Sequence, residues 1–136
     1  MFDLLHYGHI NFLRKSAEYG KLIVGLVDDE SCKKYKGYYP IQTLEERMRV
    51  LEAIKYIWKL DVYSSEYDHR IGIGFRNAIR KHNPDVITHG DDWGNGKLLG
   101  EKKTILEEFK GRLIEIPYTE NVSDSEIRRK IWESMR

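Results

Sequence analysis

Two histidines three residues apart, His6 and His9, flank Gly8 in the stretch Asp3-Leu4-Leu5-His6-Tyr7-Gly8-His9, at the entrance to an expected helix. The amino end of a helix presents free main-chain N–H groups and a positive dipole end, which suits phosphate. Two imidazoles there would meet whatever the helix end holds, and Gly8 lets a phosphate approach the backbone. Taken alone, His-x-x-His more often marks two surface histidines near a turn. A metal site is a further reading, because imidazole is a common ligand. The cysteine and carboxylate partners of a zinc centre are not evident nearby.

Three other stretches could carry chemistry. Gly90-Asp91-Asp92-Trp93-Gly94 follows the apolar run that ends in Thr88-His89. Open α/β sheets bind ligands at the carboxyl ends of their strands, and paired aspartates there could hold Mg²⁺ or hydrogen-bond a base or ribose. The competing reading is a polar loop with a half-buried tryptophan. Ser123-Asp124-Ser125 opens a helix, and capping accounts for it without a ligand; a cap and an anion site are compatible. Lys33, Lys34 and Lys36 precede Gly37 as a solvated loop. From that loop a lysine could reach back to neutralise a polyphosphate.

These residues need a scaffold, and strand-like and helix-like patterns alternate along the chain. Residues 10–19 read as a helix stopped by Gly20, and 22–27 as a strand buried on both faces. Thr43 and Glu46 form a capping box before a helix carrying Leu44, Met48, Leu51 and Ile54. Residues 59–63 read as a strand, 71–82 as a helix, and 85–90 as a second buried strand. Residues 98–109 read as a helix ended by Gly111, and 112–118 as the fourth strand. Ser123 and Glu126 form a second capping box ahead of the last helix. Strands separated by helices imply right-handed crossovers and a parallel sheet. The fold class is α/β, a three-layer, doubly wound parallel sheet. No strand stands ahead of the first helix, where such a sheet usually begins.

Composition narrows the class. The chain has 136 residues, which fits a single domain over 1–136. Twenty-three Lys and Arg against twenty-two Asp and Glu leave a net charge of +1, so the strongly basic footprint of a general nucleic-acid binder is missing. The single cysteine, Cys32, excludes an internal disulfide framework and a Cys-rich zinc site. No apolar run reaches membrane-spanning length and no signal peptide is visible, so the expected location is the cytoplasm.

Together the motifs resemble the cytidylyltransferases of the HxGH nucleotidyltransferase superfamily. Phe2-Asp3-Leu4-Leu5-His6-Tyr7-Gly8-His9 is similar to G-x-F-D-x-x-H-x-G-H without its leading glycine and one following residue. Tyr118-Thr119-Glu120-Asn121-Val122-Ser123-Asp124-Ser125-Glu126-Ile127 resembles R-T-x-G-I-S-T-T-x-I. Gly90-Asp91-Asp92-Trp93 resembles the G-D-D-W of bacterial glycerol-3-phosphate cytidylyltransferases, and Glu46-Arg47 fits that group too. The longer region from Trp93 to Tyr118 resembles the cytidylyltransferases found with phosphoenolpyruvate mutase in phosphonate biosynthesis, and that subgroup is weighed above the polyol-phosphate one.

The resemblance implies a Rossmann-like fold and a reaction. CTP and a small phosphate- or phosphonate-bearing acceptor give a CDP-linked product and pyrophosphate. It assigns His6 and His9 to the phosphates and the transition state, and Lys36 to the triphosphate. It assigns Ser123, Ser125 and the helix behind them to the β- and γ-phosphates. Asp91, Asp92 and Trp93, with Gly90, line the cytidine or acceptor side. Phe2, Asp3, Gly8, Tyr118, Thr119 and Val122 complete the nucleotide site. Lys55 stands where the glycerol-phosphate group has arginine. Mg²⁺ accompanies the nucleotide, with no protein ligand assigned, and a homodimer is expected.

Departures from the pattern are specific. Tyr118 replaces arginine, Trp58 aspartate and Asp124 threonine, the last adding a negative charge beside the phosphates. Asn121 replaces glycine where a positive φ is needed, which Asn tolerates better than most residues. Two alternatives stay in view: an adenylyltransferase using ATP, since base choice depends on backbone contacts although G-D-D-W leans to CTP, and a nucleotide-binding module without turnover, motivated by the missing first strand and altered late motif.

Overall fold

The computed structural model describes residues 2–63, 73–91 and 109–136. The apolar run after Gly20 forms β1 (Ile23–Val27), which pairs in parallel with β2 (Lys59–Tyr63), Ile23 opposite Lys59 and Val27 opposite Tyr63. A second parallel pair joins β3 (Val86–Gly90) to β4 (Arg112–Ile116), with Val86 opposite Arg112. Among the described residues five helices accompany them: α1 (Tyr7–Ala17), α2 (Asp29–Lys36), α3 (Leu44–Glu52), α4 (Ile73–His82) and α5 (Asp124–Ser134). The architecture is the expected α/β one with parallel strands, but among the described residues the strands form two separate pairs. Each pair has its own core. Leu13, Val24, Leu26 and Leu51 bury one, and Ile79, Ile87 and Phe109 the other.

Several boundaries differ from the sequence reading for local reasons. α1 starts at Tyr7, three residues before the apolar pattern, because the His6 side chain caps it. β4 stops at Ile116 because Pro117 has no N–H for the ladder. The lysine run is not a loop. Asp28 caps α2 by accepting from the Ser31 N–H at 2.7 Å, Asp29 and Glu30 occupy the first turn, and Lys33, Lys34 and Lys36 the last. That charge order suits the helix dipole. Lys33 Nζ donates back to the Gly37 carbonyl at 2.9 Å. The Thr43–Glu46 capping box forms as expected. At the last helix Ser123 accepts from the Glu126 N–H, and Glu126 turns its carboxylate to Arg129 instead of completing the box. Of the helix expected at 98–109, residues 98–108 lie outside the described residues, and Phe109 is not helical.

Arg47, on α3, is the largest fully buried side chain. Its Nη2 donates to the Val27 carbonyl at 3.0 Å and to Asp29 Oδ1 at 2.7 Å, and its Nε to the Gln42 carbonyl at 3.2 Å. One guanidinium thus joins the end of β1, the start of α2 and the turn before α3. Removing it takes a donor from two carbonyls and from a half-buried carboxylate. We expect Arg47→Ala to lower the unfolding free energy by about 3 kcal/mol. Asp29→Asn, which keeps an oxygen acceptor, costs about 1 kcal/mol. Urea unfolding of both variants checks the order; equal losses would contradict it.

Candidate functional site

A short turn with unusual backbone precedes α1. Phe2 and Leu4 have positive φ, 54° and 49°. Asp3 between them is 2% exposed. Its Oδ1 accepts from the Gln42 N–H at 2.9 Å. Its Oδ2 accepts from the Ile41 N–H and from Arg128 Nη2, both at 2.8 Å. Leu4 N–H donates to Gln42 Oε1 at 2.8 Å. The turn is therefore pinned to the segment between α2 and α3 and to α5.

The two histidines cap α1 reciprocally. His6 Nδ1 accepts from the N–H groups of Gly8 and His9, and His9 Nδ1 accepts from the His6 N–H at 3.2 Å. Their rings stack with centroids 3.8 Å apart, and Phe2 lies 5.2 Å from the His9 ring. An Nδ1 that accepts cannot carry a proton, so each neutral ring carries its hydrogen on Nε2. Burial, and then the neighbouring His6, push His9 down to about 3. Burial also lowers His6, against the opposing pull of Asp124. Gly8 is needed here because a Cβ would lie 2.9 Å from Val122 Cγ1 and 3.0 Å from the His6 ring. Val122 thus packs closely against Gly8.

A groove of about 500 Å³ opens at this helix end. The structure brings Phe2, Asp3, His6, Gly8, His9, Lys36, Tyr118, Thr119, Val122, Ser123 and Ser125 together on its walls, from both ends of the sequence. Asn11 Nδ2 donates to Thr119 Oγ1 at 3.0 Å and ties the two sides. Asn121 has φ 61°, the positive value expected of it. Ser123 Oγ is used by the Glu126 N–H, while the N–H groups of Asp124 and Ser125 stand in the first turn of α5, without intrahelical partners. Gly90 ends β3 under Tyr118, whose ring leaves no room for a Cβ. The Tyr118 N–H donates to Asp91 Oδ2 at 3.4 Å. Asp92 and Trp93 lie outside the described residues. Lys55 is not on the groove; it follows α3, with Nζ 5.4 Å from the Tyr56 ring.

Three contributors were not read from the sequence. Tyr38 and Phe12 line the groove. Arg128 donates to Asp3 and, through Nε, to Asp124 Oδ2 at 3.1 Å, and its guanidinium lies 5.2 Å from the Tyr38 ring centroid. Its signal was the i, i+4 spacing to Asp124, which a surface ion pair would share. Asp124 Oδ1 is buried without a hydrogen-bond partner. Among the described residues no three His, Cys, Asp or Glu side chains cluster as a metal cage. One open carboxylate oxygen fits Mg²⁺ held chiefly by substrate phosphates and water.

The histidine cap predicts a pH dependence. An unfolded His9 takes up a proton near 6.5, whereas the folded one resists until about 3. Stability is therefore full above pH 6.5 and lost as pH falls from there toward 3. One proton taken up on unfolding gives a slope of up to about 1.4 kcal/mol per pH unit. His6 adds to it with the same sign. Urea unfolding at pH 7.5 and 5.0 should show the loss, and His9→Asn, which keeps an acceptor near the Nδ1 position, should flatten it. An unchanged slope in the variant would contradict the assignment.

A cytidylyltransferase-like family model matches residues 1–130. The bifunctional protein HldE of Desulfatibacillum aliphaticivorans is 35% identical over 96% of the chain. The FAD synthase of Pyrococcus abyssi is 38% identical over 98% of it. The ethanolamine-phosphate cytidylyltransferase of Mus musculus is 35% identical over 93% of it. The chain spans 25%, 88% and 30% of these proteins respectively. A lipopolysaccharide core biosynthesis protein of Thermoplasma volcanium shares the fold, with a TM-score of 0.70 at 21% identity, over 88% of this chain and 93% of that one. Among the described residues no helix is long and apolar enough to cross a membrane. With the His6–His9 cap and the α5 amino terminus meeting in one groove, and the family match running over 1–130, the chain belongs to the cytidylyltransferase-like nucleotidyltransferase family.

Proposed function

We propose that this groove binds the triphosphate of CTP and transfers CMP to a small phosphonate or phosphorylated acceptor, releasing pyrophosphate. The observation that carries the reading is the commitment of both Nδ1 atoms to the backbone. It leaves two Nε2–H donors on a groove that also holds Lys36 and the amino end of α5. An acceptor oxygen attacks the α-phosphorus, that bond forms, and the bond to the bridging oxygen of pyrophosphate breaks. The protein's part is to position the groups and stabilise charge. Neutral His6 and His9 donate hydrogen bonds to phosphate oxygens without moving a proton. Lys36 supplies a full positive charge. The Asp124 and Ser125 N–H groups and the α5 dipole hold the outer phosphates. Mg²⁺, when bound, would offset the triphosphate charge, with Asp124 Oδ1 as its protein contact. Asp3 keeps the histidine turn in place through its hydrogen bonds and does not meet the nucleotide.

The similarity to ethanolamine-phosphate cytidylyltransferases supports CTP and a phosphorylated acceptor. A phosphonate acceptor rests on the sequence resemblance, with a polyol phosphate as the alternative. A second reading, ATP as the nucleotide, is favoured by the FAD synthase similarity, which covers 88% of that relative. Pyrophosphate release with CTP or ATP, Mg²⁺ and a panel of acceptors decides between them. The panel holds 2-aminoethylphosphonate, phosphoethanolamine, glycerol 3-phosphate and ribitol 5-phosphate. We expect turnover with CTP and one acceptor. Turnover only with ATP would overturn the base assignment, and binding without turnover would leave a nucleotide-binding module.

Two variants test the residue roles. Asn is a good helix cap, so His6→Asn should fold within about 1 kcal/mol of the parent. Lacking the Nε2 donor, it should lose about 10²-fold or more in kcat. Lys36→Ala should chiefly raise the KM for nucleotide, about tenfold. Parent-like kinetics in either variant would remove that residue from the site.

A further inference from the structure

The end of the domain away from the groove carries charge that the net value conceals. His6 and Gly8, at the amino end of α1, line the groove, so the carboxyl end of that helix lies about 16 Å off, at 1.5 Å per residue. There Tyr19 and Lys21 lead into β1. Each strand pair is parallel, so β1 and β2 begin at one end, as do β3 and β4. Tyr19 meets Arg112, the first residue of β4, with the guanidinium 5.7 Å from the ring centroid, and this brings the four strand starts together. The segments that lead into them, 14–21, 52–59, 80–85 and 110–112, hold nine Lys and Arg against three Asp and Glu. The whole chain is +1, so the remainder is net acidic.

Helix dipoles account for part of this. Arg14 and Lys15 end α1, and Arg80 and Lys81 end α4, where Lys81 also pairs with Asp61. Dipoles do not account for Lys21, Lys59, Lys110 and Arg112, which lie outside the helices. Nor do they account for two exposed rings among those cations. Lys21 Nζ lies 5.0 Å from the Trp58 ring, and the Trp58 N–H donates to the Leu22 carbonyl at 2.9 Å. The order Arg112, Tyr19, Lys21, Trp58 thus alternates cation and ring across the strand starts, and Lys59 follows. With those cations in place Tyr19 is still 44% and Trp58 58% exposed.

A strip of this kind suits a linear polyanion whose units also have flat faces. Phosphates meet the cations and bases stack on the rings, the combination that holds single strands without regard to sequence. A duplex hides its base faces. An acidic peptide needs the charges but not the rings. A bilayer surface needs side chains that insert, and no Leu, Ile, Val, Met or Phe is exposed in the four segments. We propose that this end binds a single-stranded polynucleotide, with phosphates on Lys21, Lys59 and Arg112 and bases against Tyr19 and Trp58. RNA and DNA share that chemistry. The surface is separate from the groove, and the proposal does not rest on the nucleotide reading.

Fluorescence anisotropy of labelled oligouridylate and oligothymidylate, each about twelve nucleotides long, tests it. We expect binding at 50 mM salt that weakens roughly 20-fold at 200 mM, the counterion release of about three phosphate contacts on a single strand. Trp58→Ala and Tyr19→Ala should each weaken binding about tenfold, and Lys21→Ala should lower the salt slope by about 0.7. Trp58→Phe, which keeps a stacking face, should restore binding. Trp132→Ala, on the exposed end of α5, should change nothing. Saturating CTP should leave the complex intact. Tighter binding of either oligomer identifies RNA or DNA as the source and supports the proposal. No binding at 50 mM salt, parent-like affinity in both ring variants, equal affinity for a duplex, or displacement by CTP would overturn it. So would binding only to phosphatidylserine vesicles or to polyglutamate, which would assign this end to a membrane or to an acidic protein.

Discussion

The arrangement of the groove depends on one buried carboxylate. Asp3 is 2% exposed and makes three hydrogen bonds, to two main-chain N–H groups of the segment after α2 and to Arg128 of α5. A charge so deeply placed is tolerable only if its oxygens are satisfied, and the partners it finds are 38, 39 and 125 residues away. Satisfying Asp3 therefore brings the histidine turn, the segment between α2 and α3, and the last helix to one place. The strained backbone at Phe2 and Leu4, both at positive φ, is held by the same contacts.

The chemistry of the histidines follows from their use as caps. An imidazole that accepts main-chain hydrogen bonds through Nδ1 is fixed in ring orientation and in tautomer. Burial, and then the neighbouring His6, keep His9 neutral down to about pH 3. Stability and donor geometry thus come from the same bonds. Asp124 pulls the other way on His6, and Arg128 holds one of its oxygens, which tempers its charge beside the groove.

Much of this was legible in the sequence. The 59–63 strand and the Thr43–Glu46 capping box follow from local rules. Those features depend on residues within a few positions of one another. α2 was missed because its lysines read as a solvated run. Its helix comes from the Asp28 cap, the acidic first turn and the Arg47 contact with Asp29, from a residue 18 positions later. Asp3 was read as a nucleotide contact because F-D stood in a binding motif. No pattern revealed that Ile41, Gln42 and Arg128 use its oxygens.

The sequence by itself determined the described elements other than α2, the alternation that makes parallel strands, and the His6-Tyr7-Gly8-His9 and Ser123 helix starts. These are set by periodicity and capping, which act over a turn or two of chain. Tertiary structure decided which residues meet. It placed Lys36, at the end of α2, on the histidine groove and left Lys55 away from it, and gave Gly8 to Val122 and Gly90 to Tyr118. It also decided that, among the described residues, the strands form two pairs with a cavity between them. Such outcomes turn on packing and on satisfying buried polar groups between distant segments, and no local spacing encodes them.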